Sequence, residues 1–265
     1  MASFRWDALT GPRLAELAMK DAVVVVPVGS IEQHGPHLPV STDAVCAERL
    51  VDLAVNRLAA TVTAVVVPTI RYGFSHDHLG FPGTLSISHR LLEDLLVEIG
   101  VGILRTGFRR IVFVNGHGSN DRLLYYAVRQ IRDSGNEPAA VAGVTYWKLA
   151  AADIAACRLS PVGGMGHACE LETSLMLAFE PETVDMGKAV REIPKSYSAY
   201  RGDDLLASGP VMAPDRFADR TRTGVMGDPT FASAKHGREL AETISRRLAA
   251  FLDEFATWPV SSEST

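Results

Sequence analysis

Three side chains that commonly bind divalent metals lie within twelve residues of one segment rich in glycine and proline. They are Glu32, His34 and Asp43, and they follow the apolar run Val23–Val28, which is typical of a buried strand. Glu32 and His34 are two residues apart, so in an extended segment their side chains leave the same face of the chain. Because loops at the carboxyl ends of strands in open α/β sheets usually hold ligands and catalysts, we interpret residues 29–43 as an active-site loop.

Two later segments add side chains of the same kind. His117 follows the strand pattern Arg110–Asn115 and stands between two glycines, which let the backbone turn sharply and leave the imidazole unobstructed. Glu170 lies in the first turn of a predicted helix, on the same face as His167, whereas Glu172 points elsewhere. The predicted metal ligands are therefore Glu32, His34, Asp43, His117 and Glu170.

This ligand set predicts a pair of metal ions. The three carboxylates supply three negative charges, and the two imidazoles are neutral. Two divalent ions carry four positive charges, so one positive charge remains and favours a bound hydroxide. Two metals about 3.5–4 Å apart lower the pKa of a bridging water toward roughly 7, and Asp43 between them can bind both. Mixed oxygen and nitrogen ligands suit Zn, Mn or Fe(II) better than Ca or an iron–sulfur cluster. The sequence predicts two divalent ions per chain, Zn with Mn or Fe possible at one site.

Each segment also has an interpretation without metal. Glu32 and His34 can form hydrogen bonds within their own loop, and Asp43 can cap the helix that follows it. Residues 116–118 can cradle a phosphate, although the third glycine of the dinucleotide-binding pattern is missing. Glu170 can simply complement the dipole of its helix. The metal site is absent only if all of these alternatives are true at the same time.

Composition narrows the class of protein and its partners. The 265 residues carry a formal net charge of −5 and no polybasic run, which argues against nucleic acid as a partner. The first residues lack the charged and apolar regions of a signal peptide, and no stretch approaches the roughly 18 apolar residues of a membrane span. Three irregularly spaced cysteines suit a reducing compartment. We expect a cytoplasmic protein without a membrane partner.

Short β-branched runs alternate with amphipathic helical segments, which indicates a parallel sheet covered on both faces. We therefore predict one domain over residues 1–265, a three-layer α/β/α sandwich with a mainly parallel central sheet. The segment Asp185–Pro229 is too long and irregular for an ordinary connection and is predicted to contact the site or another subunit. The predicted strands are Ala22–Val28, Val62–Val67, Arg110–Asn115 and Pro138–Thr145, and the predicted helices are Asp43–Ala59, His89–Arg105, Asn120–Asp133, Trp147–Ala156, Ala168–Phe179 and Gly237–Thr257.

The motifs that carry these side chains resemble the creatininase (creatinine amidohydrolase) family. The resemblance covers residues 27–43, 81–84, 115–120 and 167–177, and residues 224–229 are similar to the family's C-terminal signature. It implies a dinuclear metal hydrolase with an α/β/α fold that cuts C–N bonds and is often hexameric. It also implies that Glu32 and His117 bind one metal, that His34 and Glu170 bind the other, and that Asp43 bridges them.

The chain departs from creatininase proper at the predicted pocket. Gly118 and Ser119 stand where that enzyme has a tyrosine and a metal-binding glutamate, and Glu170 is expected to restore the missing carboxylate. Residues 161–166 are small where creatininase proper has a tryptophan, whereas Trp147 matches the family. A lost aromatic stacking partner removes roughly 1–3 kcal/mol of binding. We therefore expect an amide substrate larger than creatinine.

The resulting hypothesis is hydrolysis of an amide C–N bond, in a cyclic amide, a formamide or a related small substrate, by a metal-bridged hydroxide. His167 is predicted to shuttle the proton to the leaving nitrogen, and Glu172 is predicted to orient a histidine. The predicted substrate contacts are His78, Trp147 and Ser119.

Several alternatives remain open. Within the family they are creatinine amidohydrolase proper and a peptidase of the mycofactocin-maturation type. Outside it, Cys169 near a helix start can serve a cysteine-dependent amidase, although a small buried cysteine fits better. A nucleotide-binding α/β protein without chemistry and a metal-storing or structural protein complete the set.

Overall fold

The computed structural model describes residues 4–134, 138–196, 198–207 and 209–260, and its centre is a parallel five-stranded sheet. The strands run β1-β3-β2-β4-β5 across the sheet. The longest pairing joins β2 to β4 in register from Val23 beside Arg110 to Val28 beside Asn115. The five strands are β1 (Phe4–Arg5), β2 (Val23–Val28), β3 (Ala64–Val66), β4 (Arg110–Asn115) and β5 (Ala140–Thr145).

Helices cover both faces of this sheet, as the near-continuous apolar strands require. One face packs on α1, α3 and α4, and the other packs on α2, α7 and α8. Alternate residues of β2 enter the two cores, Val23 on one side and Val24 on the other. The predicted three-layer α/β/α fold is confirmed. The helices are α1 (Gly11–Met19), α2 (Thr42–Val55), α3 (His89–Arg105), α4 (Asp121–Ser134), α5 (Tyr146–Leu149), α6 (Ala151–Cys157), α7 (Glu170–Phe179) and α8 (Ala234–Phe255).

The strand order places a topological switch beside β2. The chain passes from β2 to β3 on one side of the sheet and continues with β4 and β5 on the other side. The loops that follow β2 and β4 therefore diverge from one another at the carboxyl edge and leave a crevice between them. Ligands in open α/β sheets bind in such crevices. Residues 29–41 and 116–120 line this crevice, so the fold brings the two predicted ligand loops together.

Most predicted elements match the structure within a few residues. The helix His89–Arg105 and the strand Arg110–Asn115 have the predicted bounds. The predicted helix Trp147–Ala156 is divided at Ala150, where α5 ends and α6 begins. Pattern reasoning missed the short edge strand β1, the helix α1, and the antiparallel pair β6 (Met165–His167) and β7 (Met226–Gly227).

The start of α7 differs from its prediction, and the difference affects the site. The predicted helix began at Ala168, but Ala168 has a left-handed backbone with φ of 49° and interrupts the chain before the helix. Cys169 is the N-cap, and Glu170 is the first helical residue. His167 therefore belongs to the strand β6 rather than to the helix, so it does not share a helical face with Glu170.

The segment Asp185–Pro229 is irregular, as predicted, and ion pairs hold its described part in place. Arg220 pairs with Asp203 at 2.9 Å and with Asp215 at 3.0 Å. Glu192 accepts hydrogen bonds from the backbone of Arg222 and from neighbouring threonines. These contacts fold the segment back over the crevice instead of letting it extend into solvent.

In the described ranges of the chain, no helix combines the length and the apolar character that a membrane span needs. The organisation of residues 1–265 as a single domain stays a prediction.

Candidate metal centre

Asp43 reaches the centre of the crevice because α2 begins against bare backbone. A Cβ at Gly29 would lie 2.4 Å from the Cα of Ala44, and one at Gly116 would lie 2.6 Å from the carbonyl oxygen of Asp43. Any side chain at either position would push the first turn of α2 away from the sheet. Of the two glycines beside His117, Gly116 is therefore the one that serves this close packing. The alternative of a phosphate cradle at residues 116–118 loses its basis, because the space next to Gly116 is filled by α2.

Among the described residues, the buried acidic and imidazole side chains form three groups, and two of these groups share Asp43. The first ligand group is Glu32, Asp43 and His117, and the second ligand group is His34, Asp43 and Glu172. In each group the ligand atoms lie within 4.8 Å of one another, and every member is buried. Two adjacent groups with one common carboxylate match the geometry of two metal sites with a bridging aspartate.

The two histidines of these groups each turn one nitrogen toward the carboxylates. His34 donates from Nδ1 to the carbonyl of Glu32 at 3.1 Å, and its Nε2 lies 3.1 Å from Oδ1 of Asp43. His117 donates from Nε2 to the carbonyl of Phe74 at 2.9 Å, and its Nδ1 lies 3.0 Å from both Glu32 and Asp43. Metal-binding histidines typically hold their second nitrogen on a carbonyl in this way.

The carboxylates of the cluster require positive charge beside them. Burial lowers the pKa of His34, but Asp43 outweighs burial, so that the pKa rises to about 10. Burial likewise opposes the charged form of His117, yet Glu32 and Asp43 raise its pKa well above the usual range. Burial raises the pKa of Glu172 to about 7. Protons on the two histidines and divalent cations compete for the same positions, because metal ligands must be deprotonated.

Two buried oxygens provide a direct test of whether a cation fits. Oε2 of Glu32 and Oδ2 of Asp43 have no hydrogen-bond partner within the described part of the chain. A buried carboxylate oxygen without a partner is costly unless it is paired or coordinates a metal. Both oxygens belong to the first ligand group, and both face Nδ1 of His117. The donor set, with its two buried oxygens that accept no hydrogen bond, fits a divalent cation.

Glu170 lies outside both groups, which corrects the predicted ligand set. Its Oε1 accepts hydrogen bonds from the Leu159 amide and from Nε2 of His236, both at 2.8 Å, and its Oε2 accepts from the Ser160 amide at 2.6 Å. Residues two apart at the start of a helix leave nearly opposite sides of it. Because α7 begins at Glu170, Glu172 turns toward His34 with an oxygen 3.9 Å from Nε2, and Glu170 turns away.

His167 lies at the wall of the cluster, where it forms the third group with Glu32 and His34. Its Nε2 donates to the carbonyl of Gln33 at 2.8 Å, and its Nδ1 lies 3.7 Å from Glu32. Burial, reinforced by His34 and His78, lowers the pKa of His167 well below its usual range. The imidazole is therefore neutral at physiological pH, with an unprotonated nitrogen directed at the cluster.

A cavity of about 170 Å³ opens over the cluster, and all three predicted substrate contacts line it. Trp147 forms an apolar wall, and the hydroxyl of Ser119 donates to Asp77 at 2.9 Å. His78 accepts a hydrogen bond at Nδ1 from the Gln33 amide at 3.1 Å. The structure thus brings together every predicted site residue except Glu170.

Sequence reasoning missed three residues of the site, and two of them, both lining the cavity, come from Asp185–Pro229. Phe217 stacks on His78 with ring centroids 3.8 Å apart, and Leu205 also lines the cavity. Their sequence neighbourhood carries no signal for this role, because only the folded segment brings them over the crevice. The third residue, Gln33, does carry a signal, since it stands between two ligand-type residues. Phe217 therefore gives the cavity an aromatic cover, although residues 161–166 are small.

Cys169 has the environment of a structural cysteine. Its side chain is buried, and burial together with Glu172 raises the pKa of the thiol well above its usual range. A nucleophilic cysteine needs a lowered pKa and exposure, so this site does not favour the cysteine-dependent amidase.

Comparison with known proteins agrees with this geometry. The family model described as creatininase, creatinine amidohydrolase, matches residues 7–252. The chain belongs to the creatininase family. A mycofactocin precursor peptide peptidase of Mycolicibacterium smegmatis is 37% identical over 220 residues, which cover 82% of this chain and 79% of that protein. A creatinine amidohydrolase of Pseudomonas putida is 29% identical over 255 residues, 91% of this chain and 93% of that protein. The chain is a creatininase-family amidohydrolase that acts on C–N bonds.

Solved creatininase structures share the fold along nearly the whole chain. A mutant creatininase complexed with creatine has a TM-score of 0.80 and 26% identity, covering 97% of this chain and 100% of that one. A mutant described as the Zn–Zn type has a TM-score of 0.79 and 27% identity, covering 96% and 98%. A structure described as Mn creatininase has a TM-score of 0.76 and 26% identity, also covering 96% and 98%.

The contacts of Glu170 predict a role in stability. Glu170→Ala leaves His236 and two backbone amides without their acceptor, so we expect the free energy of unfolding to fall by about 3–5 kcal/mol. Urea denaturation followed by circular dichroism measures it. Glu182→Ala removes an exposed carboxylate just after α7 and is the control, with an expected change within about 0.5 kcal/mol. An equally small change for Glu170→Ala would contradict this role.

Proposed function

We propose that this protein is a dinuclear metal-dependent amidohydrolase whose two ions share Asp43. Glu32 and His117 hold one ion with Asp43, and His34 and Glu172 hold the other. The observation that carries the proposal is the pair of ligand groups with one common carboxylate, buried under a cavity. Zn is the expected metal, with Mn or Fe possible at one site, since relatives with this fold are described with zinc and with manganese.

When bound there, two divalent ions supply an activated water and polarise the carbonyl of the scissile amide. Proton transfer and substrate positioning are carried out by this chain's own residues. His167 is neutral and directs Nδ1 at the cluster, so it accepts a proton from the attacking water and returns it to the leaving nitrogen. The C–N bond breaks, the acyl carbon gains the hydroxyl group, and the products are a carboxylate and an amine.

Other residues keep His167 and the substrate in position. The Gln33 carbonyl accepts from Nε2 of His167, which fixes the ring orientation and leaves Nδ1 free to accept a proton. Phe217 stands edge-on to the same imidazole with centroids 4.9 Å apart. His78, Ser119 and Trp147 line the cavity around the position of the amide. The substrate we propose is an amide larger than creatinine.

Metal content tests this proposal most directly. We expect about two divalent ions per chain by elemental analysis. Asp43→Ala should remove both, because it takes away the shared ligand, and Glu172→Ala should chiefly remove one. Chelation should abolish amide hydrolysis, and added Zn or Mn should restore it.

Cys169→Ala is the control for this experiment and should keep both ions and the activity. Full occupancy in Glu172→Ala would show that the fifth ligand is assigned wrongly. Hydrolysis that resists chelation but disappears in Cys169→Ala would replace the proposal with a cysteine-dependent amidase.

A substitution of His167 distinguishes proton transfer from metal binding. His167→Asn should lower kcat by about 10²–10⁴-fold, the usual contribution of a positioned acid–base group. Metal content should stay at the wild-type value, because His167 is not one of the proposed ligands. Loss of an ion in this variant would make His167 a ligand instead of a shuttle.

We further propose a cytoplasmic homohexamer. Large apolar side chains are exposed on neighbouring helices of one face, with Leu91 on α3 and Tyr125 and Tyr126 on α4. Exposed apolar patches of this kind mark protein–protein interfaces. Sedimentation equilibrium at micromolar concentration should give about six times the chain mass of 28.6 kDa. A stable monomer under these conditions would exclude the assembly.

A further inference from the structure

The side chain of Gln33 is buried between residues 29–41 and the segment Asp185–Pro229, with an exposed fraction of 5%. Its carboxamide oxygen accepts a hydrogen bond from the Gly35 amide at 2.9 Å, and its nitrogen donates to the Gly224 carbonyl at 3.1 Å. A backbone amide can only donate and a backbone carbonyl can only accept. These two partners therefore fix which end of the carboxamide is oxygen and which is nitrogen.

The remaining hydrogen of the Gln33 carboxamide sets the tautomer of His78. It is donated to Nδ1 of His78, which lies 3.1 Å away. A ring nitrogen that accepts a hydrogen bond carries no hydrogen, so the proton of this neutral imidazole is on Nε2. His167 does not compete for the carboxamide hydrogen. Its Nε2 lies 3.2 Å from the carboxamide nitrogen, but that Nε2 already donates to the Gln33 carbonyl.

The protonated nitrogen of His78 lies beside a proposed metal ligand. Nε2 of His78 is 3.5 Å from Oε1 of Glu32, and both side chains are buried. With the hydrogen on Nε2 this contact is attractive, whereas a lone pair on Nε2 would repel the carboxylate, strongly so away from water. The tautomer of His78 thus helps to hold Glu32 with its other oxygen, Oε2, 3.0 Å from Nδ1 of His117.

Gly224 has the conformation and the space that the carboxamide requires. A Cβ at residue 224 would lie 1.9 Å from Oε1 of Gln33, and the backbone there has a φ of 84°, a conformation that favours glycine. The turn that presents Gly224 is held by Glu192, which accepts a hydrogen bond from the Thr221 hydroxyl at 2.6 Å. That hydroxyl accepts in turn from the Gly224 amide at 3.1 Å. The glycine, its turn and the carboxamide thus fit one another in a single arrangement.

We propose that Gln33 is a positioning residue that acts on the metal ligand Glu32 through His78. This inference rests on the proposed function and goes beyond it, because Gln33 belongs to neither ligand group. Partners that orient a metal ligand typically contribute about 10–100-fold in metal affinity or activity. The effect should fall on the ion of the first ligand group, since Glu32 is not a member of the second.

The test measures the affinity of each Zn ion, by competition with a chelator, in Gln33→Met, in His78→Phe and in the double variant. Methionine keeps the length of Gln33 without its hydrogen bonds, and phenylalanine keeps the ring that stacks on Phe217 without its nitrogens. The ion that Glu172→Ala retains identifies the first ligand group.

Each single variant should weaken the ion of the first ligand group by about 10–100-fold and the other ion by no more than about twofold. The double variant should bind no more weakly than His78→Phe alone, because Gln33 acts through the ring that this variant removes. Non-additivity of this kind identifies residues that act as one unit, whereas independent structural losses would multiply.

Gln130→Met is the matched control. It makes the same change at an exposed glutamine of α4 and should leave both affinities unchanged. The tautomer is measured separately by 15N NMR of the histidine side chains in the Zn-loaded wild type, with the His78 signals identified by their loss in His78→Phe. We expect the hydrogen on Nε2.

The outcomes separate this inference from the proposed function. A hydrogen on Nδ1 of His78, unchanged Zn affinity in Gln33→Met, losses that multiply in the double variant, or equal weakening of both ions would each overturn the inference and leave the amidohydrolase proposal intact. A wild type that binds no divalent ion would instead refute the proposed function, and the inference with it.

Discussion

The structure depends on a concentration of buried negative charge at the switch point of its sheet. Glu32 and Asp43 come from one segment and Glu172 comes from a distant helix. All three are buried, and Asp43 shares a ligand group with each of the other two. Uncompensated carboxylates in such a place would destabilise the fold strongly. His34 and His117 supply part of the compensation, either as protonated rings or as neutral ligands beside cations. The site is thus built to hold positive charge.

Much of the surrounding architecture serves to hold these groups at fixed distances. Gly29 and Gly116 let α2 approach the sheet closely enough to place Asp43 between the two loops. On the other side, Glu170 ties the start of α7 to α8 and to the preceding loop. Because that helix end is anchored, Glu172 one half-turn later faces the cluster. These two glutamates, two residues apart, therefore have different roles. Glu170 anchors the helix end, and Glu172 faces the ligand cluster.

The irregular segment Asp185–Pro229 shapes the cavity but contributes no residue to either ligand group. Its ion pairs between arginine and aspartate hold it over the crevice. Phe217 then covers His78 and His167 from above. Related active sites can serve different amides when such a cover varies, because loops change more readily than a packed sheet.

The sequence by itself determined the layer architecture, most element bounds and four of the five proposed ligands. Those features follow from local information: apolar periodicity, strand-ending loops, and Glu32, His34 and Asp43 close together in one segment. It could not determine which of Glu170 and Glu172 faces the centre, because that depends on the residue at which α7 begins. The left-handed backbone at Ala168 delays the helix by two residues, and this delay rotates every later side chain. The position of Phe217 was equally inaccessible from the sequence, since only tertiary packing brings residues so distant in sequence to the same crevice.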